Sequence, residues 1–220
     1  MKGFLLLNGL PPECIDVSGG FCVCTDGAYV WAKKMGIKPD LVVGDFDSLG
    51  FVPDDCQTVV YPAMKNETDG EIALRLLKEK GCDSVDVYGA FGKRTDHFLG
   101  NLALLGIGMD LGVGVRLVGD GEIIFLGTGQ VDLETRKNRT ISLVPYGDTA
   151  HIIDSKGLLY PLKDLVLKRD DTRGISNVAE SEKVGFFVKE GRVLVLESWR
   201  DEIKKYSAKN PPGLSNAFCG

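Results

Sequence analysis

Six short apolar runs in the first half of the chain, separated by turn residues or helical patterns, leave few folds open. They are Gly3–Leu7, Phe21–Thr25, Leu41–Val43, Thr58–Tyr61, Val85–Tyr88 and Val115–Val118. Between them Ala28–Met35, Gly70–Lys80 and Asp96–Ile107 fit helices, with Ile72, Ala73, Leu76 and Leu77 at helical spacing. Thr68-Asp69-Gly70-Glu71 has the spacing of a capping box. Near-continuous apolar runs alternating with amphipathic helices predict an α/β N-terminal domain with a mostly parallel sheet. From about Gly121 the texture changes to strands alone: Glu122–Leu126, Thr140–Val144, His151–Asp154, and Gly185–Val188 with Arg192–Leu196 paired across Lys189-Glu190-Gly191 as a hairpin. The expected organisation is an α/β domain over 1–120, an all-β, sandwich-like domain over 121–200, and a tail over 201–220.

Bulk properties remove several functions. A formal charge of -5 without a long basic cluster argues against nucleic-acid binding. Phe4–Leu7 is too short for a signal peptide and no run approaches a membrane span, so a cytoplasmic protein is expected. Six cysteines (Cys14, Cys22, Cys24, Cys56, Cys82, Cys219) and two histidines (His97, His151) form no zinc pattern; the cysteines read mostly as reduced, buried, small apolar residues.

Chemistry is expected where parallel strands release the chain, because ligands of open α/β sheets bind at the carboxyl ends of the strands. Asp45-Phe46-Asp47 follows Leu41-Val42-Val43-Gly44 at such a place. If the chain stays extended there, the two carboxylates point the same way. Asp26 follows the second strand and Asp69 opens a helix, so four aspartates share one edge; singly, Asp26 and Asp69 read as helix caps. Converging carboxylates need a cation, and oxygen-only ligands suit Mg²⁺, which retains water and substrate phosphates.

A second constellation is Gly89-Ala90-Phe91-Gly92-Lys93-Arg94-Thr95-Asp96-His97, a glycine-containing loop opening a helix and thus a natural phosphate cradle. Arg94, His97 and Asn101 stand at i, i+3 and i+7 on one helical face, with Gly100 beside them. Val87 and Arg94 occupy positions where a P-loop needs Gly and Ser or Thr, and Leu111 stands where a dinucleotide fingerprint needs its third glycine. Leu49 likewise stands where phosphatases of the haloacid dehalogenase type carry Thr.

Taken in order, Thr25-Asp26-Gly27-Ala28, Pro39-Asp40-Leu41-Val42-Val43-Gly44-Asp45-Phe46-Asp47-Ser48, Lys65-Asn66-Glu67-Thr68-Asp69 and Gly89-x-x-Gly92-x-Arg94-x-Asp96-His97-x-x-x-Asn101 resemble the signature blocks of thiamine pyrophosphokinases. In the second half, Gly157-Leu158-Leu159-Tyr160 and Gly174-Ile175-Ser176-Asn177 are similar to the family's substrate segments, with Tyr160 where Trp is usual and Lys93 where a second glycine is common. The resemblance implies transfer of diphosphate from ATP to thiamine, giving thiamine diphosphate and AMP, in a homodimer with active sites between subunits. By it, Asp45, Asp47 and Asp69 hold Mg²⁺ and act in catalysis with Arg94 and Asp96. Asp26, Lys65, Arg94, His97 and Asn101 bind ATP, and Tyr160, Ser176 and Asn177 bind thiamine. A diphosphokinase for another hydroxyalkyl heterocycle such as a hydroxymethylpterin, a metal-dependent phosphohydrolase, and a non-catalytic nucleotide sensor are the competing expectations.

Overall fold

The computed structural model describes residues 1–47, 49–62, 64 and 66–200, so expectations for Ser48, Lys65, Cys219 and the tail 201–220 lie outside the described residues. The chain forms two compact units, Met1–Asp120 and a second beginning at Gly121.

In the first unit β1 (Lys2–Leu6), β2 (Phe21–Thr25), β3 (Leu41–Gly44), β4 (Gln57–Val60), β5 (Ser84–Tyr88) and β6 (Gly114–Gly119) alternate with α1 (Asp26–Lys34), α2 (Asp69–Glu79) and α3 (Thr95–Asp110). The strands lie in the order β6-β5-β1-β2-β3-β4, parallel at every pairing. The apolar runs are unbroken because both faces are covered: Phe4, Leu5 and Leu6 of β1 and Cys22, Val23 and Cys24 of β2 are all buried. Ala73, Leu74 and Leu77 form the buried stripe of α2, and Ala28, Tyr29 and Ala32 that of α1. The chain works outward from β1 to β4, returns through α2 to β5, and continues outward to β6. Strand order therefore reverses between β1 and β5, and the carboxyl ends of these neighbours flank the crevice such sheets use for ligands.

Three long strands build the second unit: β7 (Glu122–Glu134), β8 (Thr140–Lys156) and β11 (Lys183–Ser198), joined by the short β9 (Leu165–Lys168) and β10 (Asn177–Val178). All pairings are antiparallel, with β11 between β7 and β8, and with β9 and β10 both on β8. The expected hairpin across Lys189-Glu190-Gly191 is not formed. Gly185–Val188 and Arg192–Leu196 belong to one strand, β11, whose register slips between Val188 and Val193 against both neighbours. Likewise Thr140–Val144 and His151–Asp154 are two parts of β8.

The slip explains the misleading turn signal. Val184, Phe186 and Val188 are buried at even positions, but Val193 and Val195 at odd ones, so alternation shifts by one residue across 189–192. An irregular stretch, in which five residues of β11 pass two of β7 between Val188 and Val193, absorbs that odd offset and keeps both parts facing one core. Gly191 serves it with φ 77 and a close approach: a Cβ there would lie 2.3 Å from the Thr149 carbonyl oxygen. Both ends of β8 (Ile141 and Leu143; Ala150 and Ile152) share that core with Leu165 and Leu167 of β9, so the sheet folds over itself as a sandwich-like layer pair. Among the described residues no helix is long and apolar enough to cross a membrane.

Gly191→Ala places a Cβ on the left-handed residue of this irregular stretch, 2.3 Å from the Thr149 carbonyl oxygen, whereas Glu190→Ala touches only an exposed side chain. Thermal and urea denaturation are expected to show Gly191→Ala destabilised by about 2 kcal/mol and Glu190→Ala within about 0.5 kcal/mol of the parent; a Gly191→Ala variant of parental stability overturns the assignment.

Candidate active site

Three aspartates converge at the edge where β2 and β3 end and α1 and α2 begin. Asp26 is the first residue of α1 and only 5% exposed. Its Oδ1 accepts the Gly27 amide at 2.5 Å, and its Oδ2 is buried without a hydrogen-bond partner. The end of β3 presses directly on it, since a Cβ on Gly44 would lie 2.7 Å from the Asp26 side chain. Burial raises the Asp26 pKa above the usual carboxylate range, against the pull of the Gly27 amide, and the charges of Asp69 and Asp45 push it further. Neither Asp26 nor Asp69 caps its helix in the ordinary way. Thr68 caps α2 by accepting the Glu71 amide at 3.2 Å, while the Glu71 carboxylate pairs with Arg75 at 2.8 Å, so only half of the expected capping box forms.

The Asp45-Phe46-Asp47 stretch is not extended. Phe46 has φ 63, the left-handed region that bulky residues rarely enter, and its ring is buried in the core beneath the sheet. The chain turns so that the Asp47 amide donates to Asp45 Oδ1 at 3.2 Å, and Asp47 is exposed while Asp45 is half-buried. The extended chain on which a shared direction for Asp45 and Asp47 depended is therefore corrected: the backbone turns at Phe46, leaving Asp47 exposed and Asp45 half-buried, its charge felt by Asp26. The far end of this loop is tied to α1, where Tyr29 donates to Asp55 at 2.5 Å, Lys33 reaches Asp55 at 2.9 Å, and Phe51 packs edge-on against Tyr29. The Tyr29 hydroxyl and the Lys33 ammonium hold the Asp55 carboxyl down at about 2.

Across the sheet's point of reversal, the β5–α3 loop carries the second constellation. Arg94, the N-cap residue of α3, grips Asp96 with both arms of its guanidinium (Nε 3.1 Å, Nη2 2.5 Å), and the His97 amide donates to Asp96 at 3.0 Å. The pair lowers the Asp96 pKa to about 2, through the Arg94 hydrogen bonds first. Arg94, Asp96 and His97 are exposed. Asn101 Nδ2 donates to the Ala90 carbonyl at 2.9 Å and braces the loop. Asn8, which follows β1 and lies against this loop, went unnoticed in the sequence. Its only signal was a polar residue at the end of an apolar run.

In the second unit, Tyr160 is 63% exposed and Ile175 56% exposed. Ser176 is exposed at φ 60, with its amide donating to Ser142 Oγ at 2.9 Å. Asn177 differs from the expected substrate contact. It is buried, its Nδ2 donates to the Tyr160 carbonyl at 2.6 Å, and its Oδ1 accepts the amides of Tyr160 and Val178 at 3.0 and 2.9 Å. The carboxamide is engaged with backbone, so Asn177 positions Tyr160.

All donors of the acidic cluster are carboxylate oxygens, the set a hard cation takes, and the unpartnered Asp26 Oδ2 is the buried atom such an ion would satisfy. Among the described residues no three His, Cys, Asp or Glu side chains close on one point, so the arrangement is an open cluster. Because the folded chain raises the Asp26 pKa, the stability this carboxyl contributes is full below its ordinary pKa near 4 and is lost as pH rises through the folded value. In metal-free protein Asp26→Asn is expected to raise Tm by roughly 2–4 °C at pH 7.5 and to lose that advantage near pH 3. Scanning calorimetry at both pH values checks this; a destabilised variant at pH 7.5 contradicts the repulsion.

Comparison with known proteins bears on the fold and the family. Residues 18–110 match the model of the thiamin pyrophosphokinase catalytic domain, and residues 129–193 that of the thiamin pyrophosphokinase vitamin B1 binding domain. The thiamine pyrophosphokinase of Bacillus subtilis strain 168 is 31% identical over 214 residues, covering 90% of this chain and 99% of that protein. A crystal structure of thiamine pyrophosphokinase from Bacillus subtilis superposes with a TM-score of 0.80 at 27% identity, covering 90% of this chain and 99% of the other. The thiamin pyrophosphokinase of Candida albicans shares the fold at 20% identity, with a TM-score of 0.73 and coverage of 90% and 89%. With both family domains matched in order and a relative above 30% identity spanning nearly its whole length, this chain belongs to the thiamine pyrophosphokinase family.

Proposed function

We propose that the protein transfers the β,γ-diphosphate of ATP to the hydroxyethyl oxygen of thiamine, giving thiamine diphosphate and AMP. One observation carries the reading: at the sheet's carboxyl edge Asp26 is buried with one carboxylate oxygen unpartnered, and the charges of Asp69 and Asp45 act on it. A fold that only bound nucleotide gains little from so unfavourable a cluster.

Phosphoryl-type transfer asks for charge neutralisation and in-line placement more than covalent chemistry. Asp45, Asp69 and Asp26, with Asp47 from the turn, would hold Mg²⁺. Bound there, Mg²⁺ supplies neutralisation of the phosphate oxygens. Asp96 takes the Nε and Nη2 donors of Arg94 and so fixes the plane of its guanidinium, whose remaining N–H groups would meet a phosphate. The free amides at the start of α3 add partial positive charge for the nucleotide, and His97 lies exposed at the same helix start. Asn101 acts through the loop it braces. In the second unit Tyr160 offers an exposed ring to stack on the pyrimidine, the Ser176 hydroxyl a hydrogen bond, and Asn177 keeps Tyr160 in place. As the hydroxyethyl oxygen bonds to Pβ, the bond between Pβ and the α,β-bridging oxygen breaks, that oxygen leaves on AMP, and the alcohol proton passes to solvent.

Incubation with ATP, Mg²⁺ and thiamine is expected to yield thiamine diphosphate and AMP in equal amounts by mass spectrometry. Asp45→Asn is expected to lower kcat by at least about a hundredfold with the fold intact by circular dichroism. Phosphate release without AMP, or nucleotide binding without any product, overturns the reading.

The same reading places each site between two subunits of a homodimer. Mixing Asp45→Asn with Tyr160→Ala protein, each nearly inactive alone, is then expected to restore activity, because one site of a mixed dimer carries neither defect. Mixed dimers isolated by dual tags and found inactive would place the whole site within one chain.

A further inference from the structure

Lys93 is the last residue before the N-cap Arg94 and has φ 54, a conformation glycine adopts freely and lysine does not. Its side chain turns back across the crevice: Nζ lies 2.9 Å from Asn8 Oδ1, joining residues 85 positions apart. Asn8 follows β1 at the point where strand order reverses. Its carboxamide also lies flat on the start of α1, where a Cβ on Gly27 would come within 2.2 Å of Asn8 Nδ2. Gly27 adjoins Asp26, so the ammonium is held one carboxamide away from the turn that carries the unpartnered Asp26 oxygen. Backbone bonds stitch the two loops together, Gly9 donating to Gly89 and Leu10 to Phe91, each at 2.8 Å. The exposed cation is therefore aimed by a rigid frame, and its neutral Asn8 partner gives it up more readily than a carboxylate would.

We propose that Lys93 is a phosphate-binding residue of the nucleotide site, with Asn8 as the positioning residue that keeps its ammonium over the crevice between β1 and β5. The ligand group it takes is the polyphosphate of a nucleoside triphosphate. A strained backbone is retained at 93 because the side chain it carries binds ligand. This inference rests on the proposed function for the identity of the nucleotide.

The test separates strain from charge. Lys93→Gly relieves the left-handed backbone and removes the cation; Lys93→Gln removes the charge at similar length; Lys93→Arg keeps it. The glycine variant is expected to match or exceed the parent in Tm, yet to bind ATP about tenfold more weakly by calorimetry with Mg²⁺ present. Its KM for ATP is expected to rise in step while KM for thiamine stays at the parental value. Lys93→Gln follows Lys93→Gly in affinity, Lys93→Arg stays near the parent, and raising the salt concentration narrows the difference. Parental ATP affinity in both the glycine and glutamine variants overturns the inference, as does a loss in thiamine KM alone. A parent that binds ATP but makes no AMP overturns the proposed reaction and leaves the calorimetric comparison to decide the role of Lys93.

Discussion

Burial of one carboxylate against two others is the constraint around which the first unit is arranged. Asp26 is placed there by β2, whose apolar run ends at Thr25, and by α1, which starts at once. Gly44 lets β3 end against it, and α2 delivers Asp69 to the same edge. Left alone the three charges oppose folding, so the sheet's core must hold them together: Leu5, Leu6, Val23, Val42 and Val43 are each fully buried. Structure stored against electrostatic repulsion in this way is a mark of ligand sites, where the missing counter-charge arrives with substrate or metal.

Much of the first unit was legible because parallel strands covered on both faces have a simple signature. β2 runs over Phe21–Thr25 as expected, and the other strands differ by a residue or two at their ends. The second unit was less legible for a specific reason. In β11 the residues Lys189-Glu190-Gly191 are polar, exposed and end in a left-handed glycine, which describes a hairpin turn and a bulge equally well. Only the parity of the buried positions on either side distinguishes them, since a tight hairpin does not need the odd five-residue spacing between the buried Val188 and Val193. β10, two residues long, lies below any periodicity a sequence can display.

For the site, positions were readable and conformations were not. That Asp26, Asp45 and Asp69 share an edge follows from parallel topology alone. Nothing in Asp-Phe-Asp announces that the phenylalanine adopts a left-handed backbone. Its ring reaches the core only because the chain turns there, and tertiary packing overrides the local preference. Asn101 and Asn177 show what side-chain type alone leaves out. Amide side chains at ligand-facing positions look like ligand contacts, but each is used on backbone, one bracing Ala90 and the other closing both polar groups of Tyr160.

That pattern accounts for how rigid loops can carry exposed functional groups. The Arg94 fork is held by Asp96, the loop behind it by Asn101, Tyr160 by Asn177, and the aspartate-bearing loop by Tyr29 and Lys33 acting on Asp55. In every case the group expected to meet substrate is exposed or charged, and its supporting partner is spent on backbone or on a salt bridge. Preorganisation of this kind reduces the ordering entropy left to be lost when substrate binds. Electrostatic stabilisation in turn depends on donors already fixed before charge is transferred. The polar residues of this site thus divide into those that meet ligand and those that hold them, and only a structure, by showing which hydrogen bonds are already made, distinguishes the two.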